Sequence, residues 1–162
     1  MGNAITAGFE QQFAQLHQRS CELIEKIPPE SLYRQPSPAV NSFPLHSCGE
    51  YILRGAASVE QLFGGITTNL WDDPFEWTLP ETLLTPEKVV EYLNEVEATR
   101  KRGFELFKSD EDLFKEIMAP SGNTQLLSLL LDTLVRAAHY LGSARAIFEL
   151  LRAEESKLTT DH

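Results

Sequence analysis

The chain reads as an all-α protein, a single four-helix bundle with a long crossover between its second and third helices. Three observations predict this. Four segments repeat apolar residues in steps of three and four, which puts those residues on one stripe of a helix. No stretch alternates apolar and polar residues strongly enough to compete as a strand. Between the second and third segments, Ile66 to Leu84 form an aperiodic connection of roughly 20 residues, longer than compact domains ordinarily tolerate. Two helices that run the same way require such a connection, because the chain must travel back along the bundle before starting again.

The first segment runs from about Ile5 to Ile27, with Ile5, Phe9, Phe13, Leu16, Leu23 and Ile24 on its stripe. Pro28-Pro29 ends it, since proline donates no amide hydrogen and restricts the residue before it. The proline-rich stretch to Phe43 is a connection, with a single helical turn at Pro29-Glu30-Ser31-Leu32. Ser42 is the expected N-cap of the second helix, with Pro44 in its first turn. Leu45, Ile52, Ala56, Val59 and Phe63 mark its buried side, and Gly64-Gly65 its stop.

Trp71, Phe75 and Trp77 of the crossover are expected to pack on the helices they pass. Thr85-Pro86-Glu87 opens the third helix with a capping residue, a proline at the first position and an acid near the positive end of the dipole. Its stripe is Val89, Leu93, Val96 and Phe107, reaching Lys108. Ser109 to Pro120 form an acidic connector in which Leu113, Phe114 and Ile117 make an extra turn. The fourth segment, from about Thr124 to Ala153, carries a seam of Leu127, Leu130, Leu134, Ala137, Leu141, Ala144, Phe148 and Leu151. Glu154 to His162 are expected to be a frayed polar tail of the one domain, 1–162.

Composition narrows the function. At 162 residues, 42% apolar and 23% charged, the chain buries one core without staples. Its formal charge of -10 argues against nucleic acid and anionic membrane as partners, because both need clustered Lys and Arg. The one basic cluster, Arg100-Lys101-Arg102, lies among acids and reads as a solvated face. Cys21 and Cys48 lack CxxC spacing and read as reduced thiols. Met1 to Glu10 show no basic stretch followed by an apolar run, and no segment approaches a membrane span, so a cytoplasmic location is expected. No HExxH, Walker, GxGxxG or GxSxG motif is present, so no catalytic residue is identified.

The stretch Pro28-Pro29-Glu30-Ser31-Leu32 through Pro36-Ser37-Pro38-Ala39-Val40-Asn41-Ser42, leading into the second helix, resembles the DinB-like (DinB/YfiT) four-helix bundles. The resemblance implies a divalent metal, such as Ni or Zn, held by one His on the second helix and two on the fourth. The fourth-helix pair is four residues apart, a spacing that stacks side chains on one helix face. Here the position on the second helix is Gly49, and anchoring Arg136-Ala137-Ala138-His139-Tyr140-Leu141-Gly142-Ser143 on Gly142 puts Arg136 and Tyr140 in the other two. None is an ordinary ligand: Gly has no side chain, Arg stays cationic, and neutral Tyr binds metals poorly.

Helical geometry, at roughly 100° per residue, points Gly49 and Tyr140 inward and Arg136 to the margin of its seam. The expectation is a bundle without a metal cofactor that acts as a small-molecule-binding or interaction module, with a homodimer through a helix face. Its candidate pocket is Gly49, Glu50, Arg136 and Tyr140. Arg136 there is either an anion-binding group or a filled structural contact with a carboxylate such as Glu50 or Asp132, and Gly49 leaves room beneath it. The alternative is a metal-dependent thiol transferase or hydrolase with a shifted site, His46 and His139 joined by Glu50 and Asp132. His17 and His162 read as lone surface and tail residues.

Overall fold

Four helices carry the fold: α1 (Ala4–Lys26), α2 (Cys48–Thr68), α3 (Pro86–Phe104) and α4 (Leu126–Thr160). The computed structural model describes residues 2–38, 45–74 and 80–161. Ser42, Pro44, Phe75, Trp77 and His162 lie outside the described residues.

The helix directions follow from which ends touch. Tyr33 bridges the two starts, since Gly49 packs against its ring and its hydroxyl donates to the Leu83 carbonyl at 2.5 Å. At the other end, Phe63 of α2 meets Gly103 and stacks on Phe104 of α3 at 5.4 Å. So α2 and α3 are parallel, and the segment between Thr68 and Pro86 is the crossover. One core cluster gathers Ile24, Leu53, Val89 and Ala144; a second, toward the far end, gathers Phe13, Phe63, Phe104 and Leu130. Among the described residues, no helix is long and apolar enough to cross a membrane.

Several boundaries differ from the sequence reading. The observed cap of α2 is Ser47, whose hydroxyl accepts the Glu50 amide at 3.1 Å, so the helix starts at Cys48 and Leu45 is left 39% exposed before it. Ser47→Ala is expected to cost about 1 kcal/mol in urea unfolding, with no change in the slope.

Gly64-Gly65 does not stop α2. The helix runs to Thr68 and ends on Asn69 in the left-handed conformation, φ 57°, with its amide bonded to the Gly65 carbonyl at 3.0 Å. The pair instead lets the chain fold back, because a Cβ on Gly65 would lie 2.2 Å from the Trp71 ring.

α3 ends at Phe104 rather than Lys108, and half-buried Phe107 packs edge-on against Phe104 at 5.4 Å. Next comes a 3-10 turn, Asp110–Phe114, and then a hairpin the sequence did not reveal, β1 (Glu116–Ala119) with β2 (Gly122–Gln125). Ile117 is therefore a strand residue, paired with Thr124 across the two-residue turn Pro120-Ser121. Gly122, at φ 108°, supplies the backbone that closes the turn. Strands of four residues are too short to impose a visible alternation.

The 3-10 turn also closes the start of α1. Asn3 makes no side-chain cap; the Asp110 carboxylate accepts the amides of Ile5 at 3.1 Å and Thr6 at 2.8 Å in its place. Asp112 holds the turn itself. Its bonds from the Lys115 ammonium and from the amides of Lys108 and Ser109 depress its pKa to about 2. A depressed carboxylate stabilises the fold above the unfolded value of 3.8 and loses that contribution as pH falls toward 2. Acid titration of stability between pH 5 and 2 is therefore expected to flatten in Asp112→Asn, and an unchanged profile would refute the assignment.

The expected tail is helical, as α4 continues to Thr160. Glu154 and Glu155 dock on the connection after α1, facing Arg34 at 3.7 and 3.5 Å, and Glu154 accepts the Ser37 amide at 2.9 Å.

Two polar residues read as solvated are inside. Arg100 is 1% exposed; it forks onto Glu97, with Nε 3.1 Å from one carboxylate oxygen, and lies 5.4 Å over the Phe104 ring. His17 is half-buried beside the Cys21 thiol at 3.8 Å, and burial lowers its pKa.

Candidate functional site

Arg136 and Tyr140 sit one helical turn apart on α4 and line the same cleft. Its opposite wall comes from α2, where Arg54, Ser58 and Gln61 recur in steps of four and three and so share one face. Close packing of the two helices allows this, since the Cβ position of Gly55 is 3.5 Å from Tyr140. Asp73, beyond the end of α2, completes a polar cleft of about 200 Å³.

The hydrogen bonds show which groups face outward with capacity to spare. Ser58 donates its hydroxyl to the Arg54 carbonyl at 2.9 Å, so it offers lone pairs to the cleft. Gln61 gives one amide hydrogen to the Trp71 carbonyl at 2.7 Å and keeps the other. Arg136 is exposed, and among the described residues its guanidinium and the Tyr140 hydroxyl have no hydrogen-bond partner. The cleft thus presents the Arg136 guanidinium, a phenol and an amide, which are donors that recognise carboxylate and phosphate oxygens, beside the positive charge of Arg54.

The other expected members lie elsewhere. Gly49 faces the connection after α1: its amide donates to the Leu32 carbonyl at 2.8 Å, and a Cβ there would meet the Tyr33 ring at 2.6 Å and the Leu32 oxygen at 2.7 Å. The space beside Gly49 is thus filled by Tyr33 and the Leu32 carbonyl, and not by Arg136. Glu50 pairs with His46, Nδ1 to Oε2 at 2.8 Å, and not with Arg136.

The shifted assembly does not form either. His46 is edge-on to Tyr51 at 5.4 Å, Tyr51 meets Tyr140 at 6.3 Å, and Tyr140 meets His139 at 6.0 Å. Two tyrosine rings thus stand between the histidines. Asp132 and His139 are both exposed. Among the described residues, no three His, Cys, Asp or Glu side chains are close enough to hold one metal ion. The donors around Arg136 and Tyr140 do not fit a divalent cation, since two fixed positive charges oppose it.

The sequence reading missed Arg54, Ser58 and Gln61. Their spacing was visible, but it gained meaning only once Arg136 and Tyr140 stood opposite. Register across two helices is a tertiary fact.

No family model and no curated protein matches the chain. Its backbone is similar to several solved structures, two of which follow. A conserved protein of Enterococcus faecalis aligns with a TM-score of 0.66 and 16% identity, covering 94% of this chain and 99% of that one. A candidate member of the DinB family from Exiguobacterium sibiricum aligns with a TM-score of 0.65 and 17% identity, covering 93% and 94%. At these identities the likeness is one of architecture, and it agrees with the resemblance carried by Pro28 to Ser42: this chain has the four-helix fold of the DinB-like bundles.

Proposed function

We propose that this DinB-like bundle is a binding module for a small anion, carboxylate or phosphate, and works without a divalent metal at Gly49, Arg136 and Tyr140. The observation that carries the reading is the convergence of Arg54 and Arg136 from two helices on one polar cleft, in a chain whose overall charge is -10. A general acidic surface repels anions, so a local pair of guanidinium groups marks where one is held. Among the described residues, Arg54 and Arg136 against Asp73 give the cleft a formal charge near +1, which suits one singly or doubly charged head group. Arg136 and Tyr140 supply donors from one wall and Gln61 from the other, with Arg54 adding positive charge.

Calorimetric titration with inorganic phosphate tests this. Binding is expected to weaken with salt, to fall by about tenfold or more in Arg136→Ala, and by about threefold to tenfold in Tyr140→Phe. Phosphate affinity unchanged in both variants would overturn the reading. Elemental analysis of dialysed protein supplies the second check: a stoichiometric retained Ni or Zn would contradict the metal-free part.

A reducing, cytoplasmic setting belongs to the same proposal and is supported by the free thiols Cys21 and Cys48. So does a homodimer through α4, which exposes Leu131, Val135 and Leu150; sedimentation at a single monomer mass would remove that part.

A further inference from the structure

We infer that the anion held in the cleft between α2 and α4 is an aromatic one, an aryl phosphate or aryl carboxylate whose ring lies on Tyr51 and Tyr140. This deepens the anion-binding reading and rests on it. Tyr51, Arg54 and Ser58 follow one another on α2 in steps of three and four, and so share a face. The cleft therefore continues past Arg54 toward the start of α2, and its border there is aromatic. The Tyr140 ring, which lines the cleft, lies 6.3 Å from the Tyr51 ring at an angle of 32°, and His46 stands edge-on to Tyr51 at 5.4 Å.

Core packing alone does not place these rings at a rim. Where α2 and α4 meet closely the residues are small, with the Gly55 Cβ position 3.6 Å from the Ala137 carbonyl oxygen. An aromatic cluster that serves the core, Phe13, Phe63 and Phe104, is 2%, 0% and 4% exposed and carries no polar side-chain atom. Tyr51 and Tyr140 are only half-buried, and the His46 side chain is 45% exposed. Such rings offer a planar ligand a flat π face at little cost in side-chain freedom. The row is also held in place: Glu50 fixes His46 through Nδ1 at 2.8 Å, and the His46 amide donates to the Tyr51 hydroxyl at 3.4 Å.

Charge sets the orientation of the ligand. Arg54 and Arg136 lie at one end of the row and the Glu50 carboxylate, paired with His46, at the other. The anionic group therefore goes to the arginines and the uncharged ring toward Tyr51. Tyr140 belongs to both the cleft and the row, which places the anionic group directly beside the ring.

Calorimetry on the whole chain with inorganic, methyl, cyclohexyl and phenyl phosphate tests this, at a pH where each ester is a dianion. Phenyl phosphate is expected to bind about threefold to tenfold tighter than methyl or cyclohexyl phosphate, the size of one stacked aromatic pair. That comparison needs no variant to fold. Within Tyr51→Leu the ratio of phenyl to methyl phosphate affinity is expected to fall to near unity, while Tyr51→Phe, which keeps the ring, keeps the ratio. No binding of inorganic phosphate by the unaltered chain would overturn the anion reading and this inference with it. Phosphate binding without a preference for phenyl phosphate, equal affinity for cyclohexyl phosphate, or a preference that survives in folded Tyr51→Leu would each overturn the aromatic inference alone.

Discussion

Replacing Arg100 by alanine is expected to destabilise the fold by about 3–5 kcal/mol, the largest effect of any single change away from the apolar core. The guanidinium is 1% exposed, and Glu97 beside it 9%. Removing the cation leaves the Glu97 carboxylate buried without its partner, and its desolvation is no longer offset. Glu10, at 3.5 Å and half exposed, cannot substitute because it carries the same charge as Glu97. The double change Glu97→Leu with Arg100→Leu is expected to recover most of the loss, since well-packed hydrocarbon replaces a buried ion pair at little net cost. Urea unfolding of the two single variants and the double variant measures the coupling. A loss below about 1 kcal/mol in Arg100→Ala would mean that the pair is solvated, as the sequence suggested.

Gly49→His, the substitution that would restore the histidine expected from the family resemblance, is expected to cost about 3 kcal/mol or more and to gain no metal affinity. Any Cβ at this position collides with the Leu32 carbonyl at 2.7 Å, and that oxygen is backbone, tied to the Gly49 amide. Relief would require the whole connection after α1 to move, including Tyr33 and its bond to Leu83. Gly142 supplies the control, because its Cβ position meets nothing within 4 Å and it lies mid-helix. Gly142→Ala is expected to stabilise α4 by about 0.5–1 kcal/mol. Tight zinc binding by a folded Gly49→His variant would refute the account, as would equal melting temperatures for the two variants.

These two positions show why the candidate site was only half legible. Arg136 and Tyr140 came from the family resemblance, and they share a cleft because a separation of four residues places them together on one helix face, whatever surrounds it. Gly49 came from the same resemblance, yet its true neighbours are Leu32 and Tyr33, supplied by a connection with no periodic signal. Arg54 was overlooked for the converse reason: nothing local distinguishes it from a solvated helix arginine.

The sequence by itself determined the four helices, the parallel pair and the crossover between them. Apolar period, proline and capping residues act within a few positions of one another, and the strongest of these signals, Thr85-Pro86 and the seam from Leu127 to Leu151, needed no partner to be read. Tertiary structure alone decided that α2 begins at Cys48 on a Ser47 cap, that Gly64-Gly65 admits Trp71 instead of ending the helix, that Glu154 and Glu155 extend α4 by docking near Arg34, and that Arg100 is buried. It also chose which side chains share a cleft. Each of those outcomes depends on contacts between residues far apart in the chain, and their energies exist only when the helices are already side by side.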